Sequence, residues 1–426
     1  MITASPKDSG RTDRSLADAA WLTQGSLARL LSVLSGDGEE ARVVGGAVRN
    51  TLMKLPPGDT DIATTATPQE VTRRVQAAGF KAVPTGIEHG TVTVVIAGAP
   101  FEVTTLRVDV ETFGRKANVR FGRDWKADAE RRDFTMNALS VDASGAVYDY
   151  VGGLADLEAR RVRFIGDPAK RIAEDYLRIL RFFRFHAAYG QGPLDPTGLH
   201  ACIAGRAGVE QLSRERVRME LLKLLVAQGA APALTAMSEA GLLVSLLGGV
   251  PLIADFARMG EIEAALGLPP DAVRRLGALN VIVMEDAERL WQRLRLANAE
   301  YDRLASMAER WRGLSPAVGD AAARTLLYRL GLERFRDRVL LAWARSGAKA
   351  DDKAWRDFAT LPERWPVPSF PLKAADFMQR GVAKGPALGE ALRAAEEAWI
   401  AANFSMDTET IERIASNAIG GGAKAT

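Results

Sequence analysis

The chain is poor in the residues that build covalent or soft-metal chemistry. Among its 426 residues there is one cysteine, Cys202, and three histidines, His89, His186 and His200. A lone cysteine rules out an intrachain disulfide and speaks against a cysteine-based zinc site; three scattered histidines make no metal cluster. No apolar run approaches the roughly 20 residues that a membrane helix requires. The first residues, Met1 to Arg14, are polar and charged and lack the apolar core of a secretory signal, so a reducing cytoplasm is the expected location. Charge of one sign is also missing. The 56 Lys and Arg against 53 Asp and Glu leave a net +3, which allows a nucleic-acid partner without demanding one.

What is present is ordinary in bulk and particular in order. Hydrophobic residues make up 47% and charged residues 26%, the composition of a globular protein, and the length suits two to four domains. Residues 1–22 read as a flexible arm. Residues 23–165 mix helical and strand signals: a helix near Gln24–Ser35, a short apolar strand Ala41–Val44 ending at Gly45-Gly46, and two β-branched runs at Thr91–Ala97 and Phe101–Val108. The charged, glycine-containing stretch 109–130 reads as a mobile loop. After residue 165 strand signals nearly vanish and helical periods dominate. The expected fold class is therefore α+β, a head with a small β-sheet over 23–165 followed by an all-α region. Breaks in that region suggest sub-domains over 166–230 and 231–418, with 419–426 a disordered tail.

The chemistry is concentrated in three places. First come Gly45, Gly46 and Arg49, followed by Asp59-Thr60-Asp61. Glycines between a strand and a helix let the backbone approach a phosphate, and the helix start offers free N–H groups. In an extended segment residues i and i+2 share a face, so Asp59 and Asp61 aim both carboxylates at one spot. Such a pair suits Mg²⁺, which takes oxygen ligands and keeps waters and substrate phosphates in its shell. Two such ions stabilise the attacking and leaving oxygens of an in-line displacement. Glu102, a carboxylate inside an apolar strand, is the candidate third acid. An Asp-x-Asp alone is more often a solvated turn; order and spacing carry the inference.

The second place is Arg131-Arg132-Asp133 with Asn137: arginines that can hold triphosphate oxygens bidentately, and polar groups for ribose hydroxyls. The bland alternative is a helix start capped by Asp133. The third is Asp175, Arg178 and Arg181, expected on one continuous helix where i and i+3 are neighbours. Cytosine and adenine both present an exocyclic amine beside an unprotonated ring nitrogen. One Asp–Arg pair can accept from the amine and donate to the ring nitrogen, and would leave uracil and guanine with unpaired buried groups. The alternative is a surface ion pair worth under about 1 kcal/mol. A cationic cluster at Arg160, Arg161, Arg163, Lys170 and Arg171 suits salt-sensitive phosphate contacts with RNA, or else is a solvated basic face.

The ordered set GGAVRN, DTDIATT, FEVTTLR, RRDFTMNAL, DYVGGLADLEARRVRFIGDP, EDYLRILRFFRF and LSRERVRMELLKLL, spanning about residues 25–225, resembles the bacterial and eukaryotic class of tRNA nucleotidyltransferases and poly(A) polymerases. These belong to the polymerase-β nucleotidyltransferase superfamily. The resemblance implies a catalytic head followed by helical neck, body and tail domains that hold tRNA. It implies Mg²⁺ on Asp59 and Asp61, nucleotide contacts from Arg131, Arg132 and Asp133, and base selection by Asp175 and Arg178 with Arg181 nearby. Asp109–Arg123 resembles the family's flexible loop and Leu212–Glu220 its neck motif. The implied activity is addition of CCA to tRNA 3′ ends from CTP and ATP, with no membrane and no protein partner. The alternatives are a poly(A) polymerase, an enzyme adding only CC or only A, and a catalytically dead RNA-binding module. One departure stands out: the family's usual Gly-Gly-x-Val-Arg-Asp ends here in Asn50.

Overall fold

A computed structural model describes residues 9–86, 90–113, 116–309 and 311–420; for 84–85, 108–113, 116–120 and 420 it describes the backbone alone. The chain divides into two compact units, Met1–Gly248 and Gly249–Thr426. His89 and the tail residues 421–426 lie outside the described residues, and Gly420 closes the last helix.

The first unit is built on an eight-stranded sheet of order β1-β10-β9-β2-β3-β6-β5-β4. Its strands are β1 (Arg11–Ser15), β2 (Ala41–Val44), β3 (Asp61–Thr64), β4 (Lys81–Gly86), β5 (Thr91–Ile96), β6 (Ala99–Thr105), β9 (Ser140–Asp142) and β10 (Ala146–Tyr148). β7 (Arg107–Phe113) and β8 (Lys116–Phe121) form a separate antiparallel ribbon. Strand β2 is buried along its whole length and lies between β3 and β9; its one charged residue, Arg42, is covered by the rings of Trp125 and Tyr148. All neighbours in the sheet are antiparallel except β3 and β6, which run parallel with Asp61 opposite Glu102.

Two expectations are corrected here. Residues 11–15 are not a flexible arm. They pair with β10, and the Thr12 hydroxyl donates to the Val147 carbonyl at 2.9 Å. Backbone pairing needs no apolar side chain, and a charged edge strand resists further pairing. The stretch 109–130 is not a loop either. It forms much of the β7–β8 ribbon and then the helix Trp125–Glu130, whose start is capped by the Asp124 carboxylate. The alternating Val108, Val110 and Thr112 suit a strand; the high charge of the stretch masks them.

Helices of the first unit are α1 (Ala20–Thr23), α2 (Gly25–Leu34), α3 (Gly46–Leu52), α4 (Pro68–Ala77), α5 (Trp125–Glu130), α6 (Gly153–Glu158), α7 (Pro168–Glu174), α8 (Leu177–Tyr189), α9 (Pro196–Ala204), α10 (Arg214–Leu225), α11 (Ala230–Glu239) and α12 (Leu242–Leu247). Helix α8 buries Ile179, Leu180, Phe182 and Phe183, and Phe164 and Phe182 stack at 5.4 Å, joining it to the sheet region. Helices α10 and α11 pack on α8, so this unit runs past residue 230 to Gly248.

The second unit is helical throughout its described residues. It comprises α13 (Ile253–Ala265), α14 (Ala272–Asn280), α15 (Met284–Leu294), α16 (Asn298–Ala308), α17 (Gly319–Ser346, broken at Gly331, φ +73°) and five shorter or later helices ending at Gly420. Its interior holds charge as well as oil. Glu263 accepts from Arg274 at 2.8 Å and Arg275 at 2.7 Å, and Asp337, fully buried, accepts from Arg274 at 2.9 Å and Arg303 at 2.7 Å. Toward the end, Trp399, Phe377 and Phe404 organise a separate apolar cluster.

Candidate active site

Strand β2 delivers the chain to Gly45, whose φ of +74° and ψ of −121° turn it into α3. That backbone conformation favours glycine, and a Cβ there would stand 3.4 Å from Nη1 of Arg132. Antiparallel pairing then sets Asp61 opposite Val44, beside the turn. The parallel β3–β6 register sets Glu102 on the other side of Asp61. Three carboxylates therefore crowd one end of the sheet. The pKa of Asp61 is raised above 3.8 first by desolvation and next by the Glu102 charge; Arg132 opposes the shift and Asp59 adds to it. Crowded anions of this kind are what a divalent cation relieves. Among the described residues no three such groups stand close enough to hold an ion unaided, so any ion here would share its shell with water or substrate oxygens. Glu102 lies on an interior strand, not an edge, with its side chain on the exposed face.

Asp59 and Asp61 open onto a cavity of about 530 Å³. Gly45, Gly46, Arg49, Arg132, Asp133, Asn137 and Arg181 line it with them. These expected residues are thus brought together from segments more than a hundred positions apart. A hydrogen-bond chain fixes them. Arg49 donates to the Asn137 amide oxygen, Asn137 donates to Asp133 at 3.0 Å, and Arg181 donates to the other Asp133 oxygen at 2.7 Å. Burial alone would raise the Asp133 pKa, but Arg181, Asn137 and the Phe134 N–H hold it below 3.8. Asp133 does not cap a helix; it precedes the 3₁₀ turn Thr135–Asn137.

Other expected residues stand elsewhere. Arg131 is turned onto the buried Asp128 at 2.5 Å, which it shares with Arg132 at 3.1 Å, and only Arg132 lines the cavity. Asp175 does not lie on a continuous helix. The chain is extended there (φ −156°, ψ 106°) between α7 and α8, so Asp175 and Arg178 do not pair. Asp175 accepts from Arg216 at 2.6 Å and lines a different cavity with Gln211 and Ser213. Arg178 bonds Glu174 and the Arg171 carbonyl. Of the five cations expected to meet RNA, Arg161 and Arg163 both grip the fully buried Asp156, and Arg171 bonds Glu174 and two backbone carbonyls. Arg160 and Lys170 are exposed. None of the five lines the carboxylate cavity.

The sequence reading missed Arg184, Phe185, Tyr189 and Lys223, all of which line the cavity. Arg184 donates to the buried Glu220, which also takes Arg181 at 3.4 Å. Arg49, Arg181 and Arg184 all lie over the Phe185 ring, at 5.2, 5.1 and 4.2 Å. A signal was available: Arg178, Arg181 and Arg184 recur every third residue, which on a helix makes a cationic stripe.

Comparison with known proteins shows the family. Residues 41–163 match the poly A polymerase head domain, and 194–256 match the probable RNA and SrmB-binding site of polymerase A. The CCA tRNA nucleotidyltransferase 1 of Danio rerio, named as mitochondrial, is 34% identical over 87% of this chain and 86% of its own length. This chain belongs to the CCA tRNA nucleotidyltransferase family. The CCA-adding enzyme of Limosilactobacillus fermentum is 30% identical over 91% of this chain and 95% of its own. The solved CCA-adding enzyme of Bacillus stearothermophilus, in complex with CTP, superposes with a TM-score of 0.71 at 27% identity, covering 93% of this chain and 98% of that one. A Thermotoga maritima CCA-adding enzyme complexed with tRNA shares the fold, with a TM-score of 0.67 at 17% identity over 95% and 98% of the two chains. Nucleotidyltransferases of this family work with divalent metal ions, and the chain is an enzyme of that class. No helix among the described residues is long and apolar enough to cross a membrane. The vertebrate relatives are named as mitochondrial, so they lend no support to a cytoplasmic location.

Proposed function

We propose that this nucleotidyltransferase adds CCA to the 3′ end of tRNA from CTP and ATP, without a nucleic-acid template. The RNA 3′-hydroxyl attacks the nucleotide α-phosphate and pyrophosphate leaves. The observation that carries the reading is one cavity lined by the carboxylates Asp59 and Asp61 together with the cations Arg49, Arg132, Arg181 and Arg184. The carboxylates would hold Mg²⁺, and two ions suit the reaction, supplying Lewis-acid stabilisation of the attacking and leaving oxygens. The cations bind the triphosphate, and Asp133 and Asn137 stand where ribose hydroxyls can be bonded. Relatives named as CCA-adding enzymes along nearly their whole length favour this product over poly(A).

Asp175 and Arg178 remain our candidates for choosing C and A over U and G. In the structure both are engaged, by Arg216 and Glu174, so base recognition would exchange those bonds for bonds to the base. We assign the head to residues 11–165, the neck to 166–248 and tRNA holding to the helices that follow, with the exposed Arg160 and Lys170 meeting RNA phosphates. The test is to offer all four nucleotides with tRNA lacking its terminus and to sequence the product ends. CCA ends are expected; ATP incorporation onto unrelated RNA without use of CTP sinks the reading.

A further inference from the structure

The departure at position 50 has a structural counterpart. Asn50 is half-buried on α3, and its two amide atoms face different partners. The oxygen accepts from Nε of Arg49 at 3.1 Å and from Nη2 at 2.8 Å. The nitrogen donates to the carbonyls of Pro56 at 3.1 Å and Pro57 at 3.4 Å. The backbone carbonyl of Asn50 also accepts from the Leu55 N–H at 2.8 Å. Only this orientation of the amide satisfies both sides. Rotated by half a turn, it would set N–H groups against a guanidinium and an oxygen against two carbonyls.

The bridged segment leads directly into the carboxylates. Pro56 and Pro57 have no N–H of their own, so their contribution to loop fixation is through accepting. Gly58 follows with φ +71°, a backbone conformation that favours glycine, beside the Asn50 amide. Asp59 comes next. On its other side Asn50 is coupled through Arg49 to Asn137, Asp133 and Arg181. Donors and acceptors alternate along the whole chain, from the Pro56 carbonyl to the far wall of the cavity. An ionised aspartate at position 50 would keep the Arg49 half and invert the other, placing an acceptor against two carbonyl oxygens.

We propose that Asn50 is a positioning residue for Asp59: its amide N–H groups hold the Pro56–Gly58 turn, and through it the carboxylate, at the cavity wall that Arg49 completes. The proposal rests on the metal-dependent reading of Asp59. It also fits the hydrogen-bond partners of Arg49, which are the neutral Asn50, Asn137 and Tyr189. With an amide instead of a carboxylate beside it, its charge stays available to the cavity.

The test uses the full chain with Asn50→Asp and Asn50→Ala. Hydrogen–deuterium exchange is read over 55–62, and Mn²⁺ binding without nucleotide is read by electron paramagnetic resonance. Faster exchange over 55–62 is expected in both variants, greater in Asn50→Asp, with α14 unchanged. Mn²⁺ affinity should fall about tenfold in Asn50→Asp, as for other groups that hold a metal ligand in place. In CTP incorporation kcat should fall while KM for CTP changes little. Wild-type exchange in Asn50→Ala overturns the proposal, and so does tighter Mn²⁺ binding in Asn50→Asp, which would make position 50 a ligand. Faster exchange with unchanged Mn²⁺ affinity also overturns it. Should Asn50→Asp fail to fold, Asn50→Ala decides alone, by faster exchange and weaker Mn²⁺ binding against the wild type. Asp59→Ala in the same Mn²⁺ assay separates the two claims: undiminished binding there removes the metal reading, while exchange still judges the tie.

Discussion

The carboxylate cluster at the end of the first unit's sheet and the buried ion pairs of the second unit treat charge in opposite ways. In the second unit each buried acid has its cations already. Asp337 takes Arg274 and Arg303, and Glu263 takes Arg274 and Arg275. Asp271 follows suit: burial would raise its pKa, yet Arg303 and the backbone N–H of Arg274 bring it below 3.8. In the first unit Asp61 is desolvated and set beside Glu102 and Asp59, and its pKa moves up despite Arg132. Arg49 is buried, bonded to the neutral Asn50, Asn137 and Tyr189 and stacked at 3.9 Å on the Tyr189 ring, and desolvation lowers its pKa. A satisfied cluster holds a fold, whereas a segregated one stores electrostatic energy that a ligand can release. The candidate site sets a desolvated carboxylate cluster and an arginine held by neutral groups along one cavity, and a metal–triphosphate complex offers the complement of both.

The comparison breaks most sharply at Asp61. Asp61→Ala should reduce CTP incorporation by about a thousandfold, roughly 4 kcal/mol of transition-state stabilisation, while tRNA binding by filter retention stays intact. Undiminished activity would remove the metal role. Asp337→Ala should do the reverse. It strands Arg274 and Arg303 in the interior and should destabilise the protein by about 3 kcal/mol, seen as an earlier thermal transition, with kcat per folded molecule unaltered. A catalytic defect at full stability would show that the second cluster is not merely structural.

Arg178→Ala should act on choice more than on rate. Discrimination against UTP and GTP should relax by about tenfold, one lost hydrogen-bonding partner, in competition assays with mixed nucleotides. Unchanged selectivity would remove Arg178 from base recognition. The smallest effect concerns stability without ligand. Because the folded-state pKa of Asp61 lies above 3.8, the native state holds that proton more tightly than the unfolded chain. Stability is lost as pH rises through the raised value. Asp61→Asn should therefore raise the metal-free melting temperature at neutral pH, and the gain should vanish below pH 3.8. Asp271 has the opposite sign, giving stability present above 3.8 and lost as pH falls through its lowered value. A lower melting temperature for Asp61→Asn would contradict the idea of stored repulsion.

Much of the site could be read in the sequence because local rules sufficed. The spacing of Asp59 and Asp61 and the glycine turn each depend on a few neighbouring residues. What could not be read depends on partners distant in the chain. Asp175 faces Arg216, and Arg131 faces Asp128 and turns from the cavity, because an ion pair in the fold outcompetes an isolated pattern. The arm and the loop were misread for a different reason. Charged residues in 11–15 and 107–121 hide strands that are stabilised by main-chain pairing, and composition says little about such strands.

The parallel pairing of β3 with β6 also bears on how the enzyme comes into being. A hairpin forms from neighbours, as β5 and β6 do, but Asp61 meets Glu102 only after the intervening α4, β4 and β5 have been laid down. Contacts so distant in sequence close late in folding. On the ribosome, a chain that has not yet released β6 carries the Asp-x-Asp motif without its acidic neighbour. The enzyme's active centre is thus absent from the early nascent chain and matures only with the sheet.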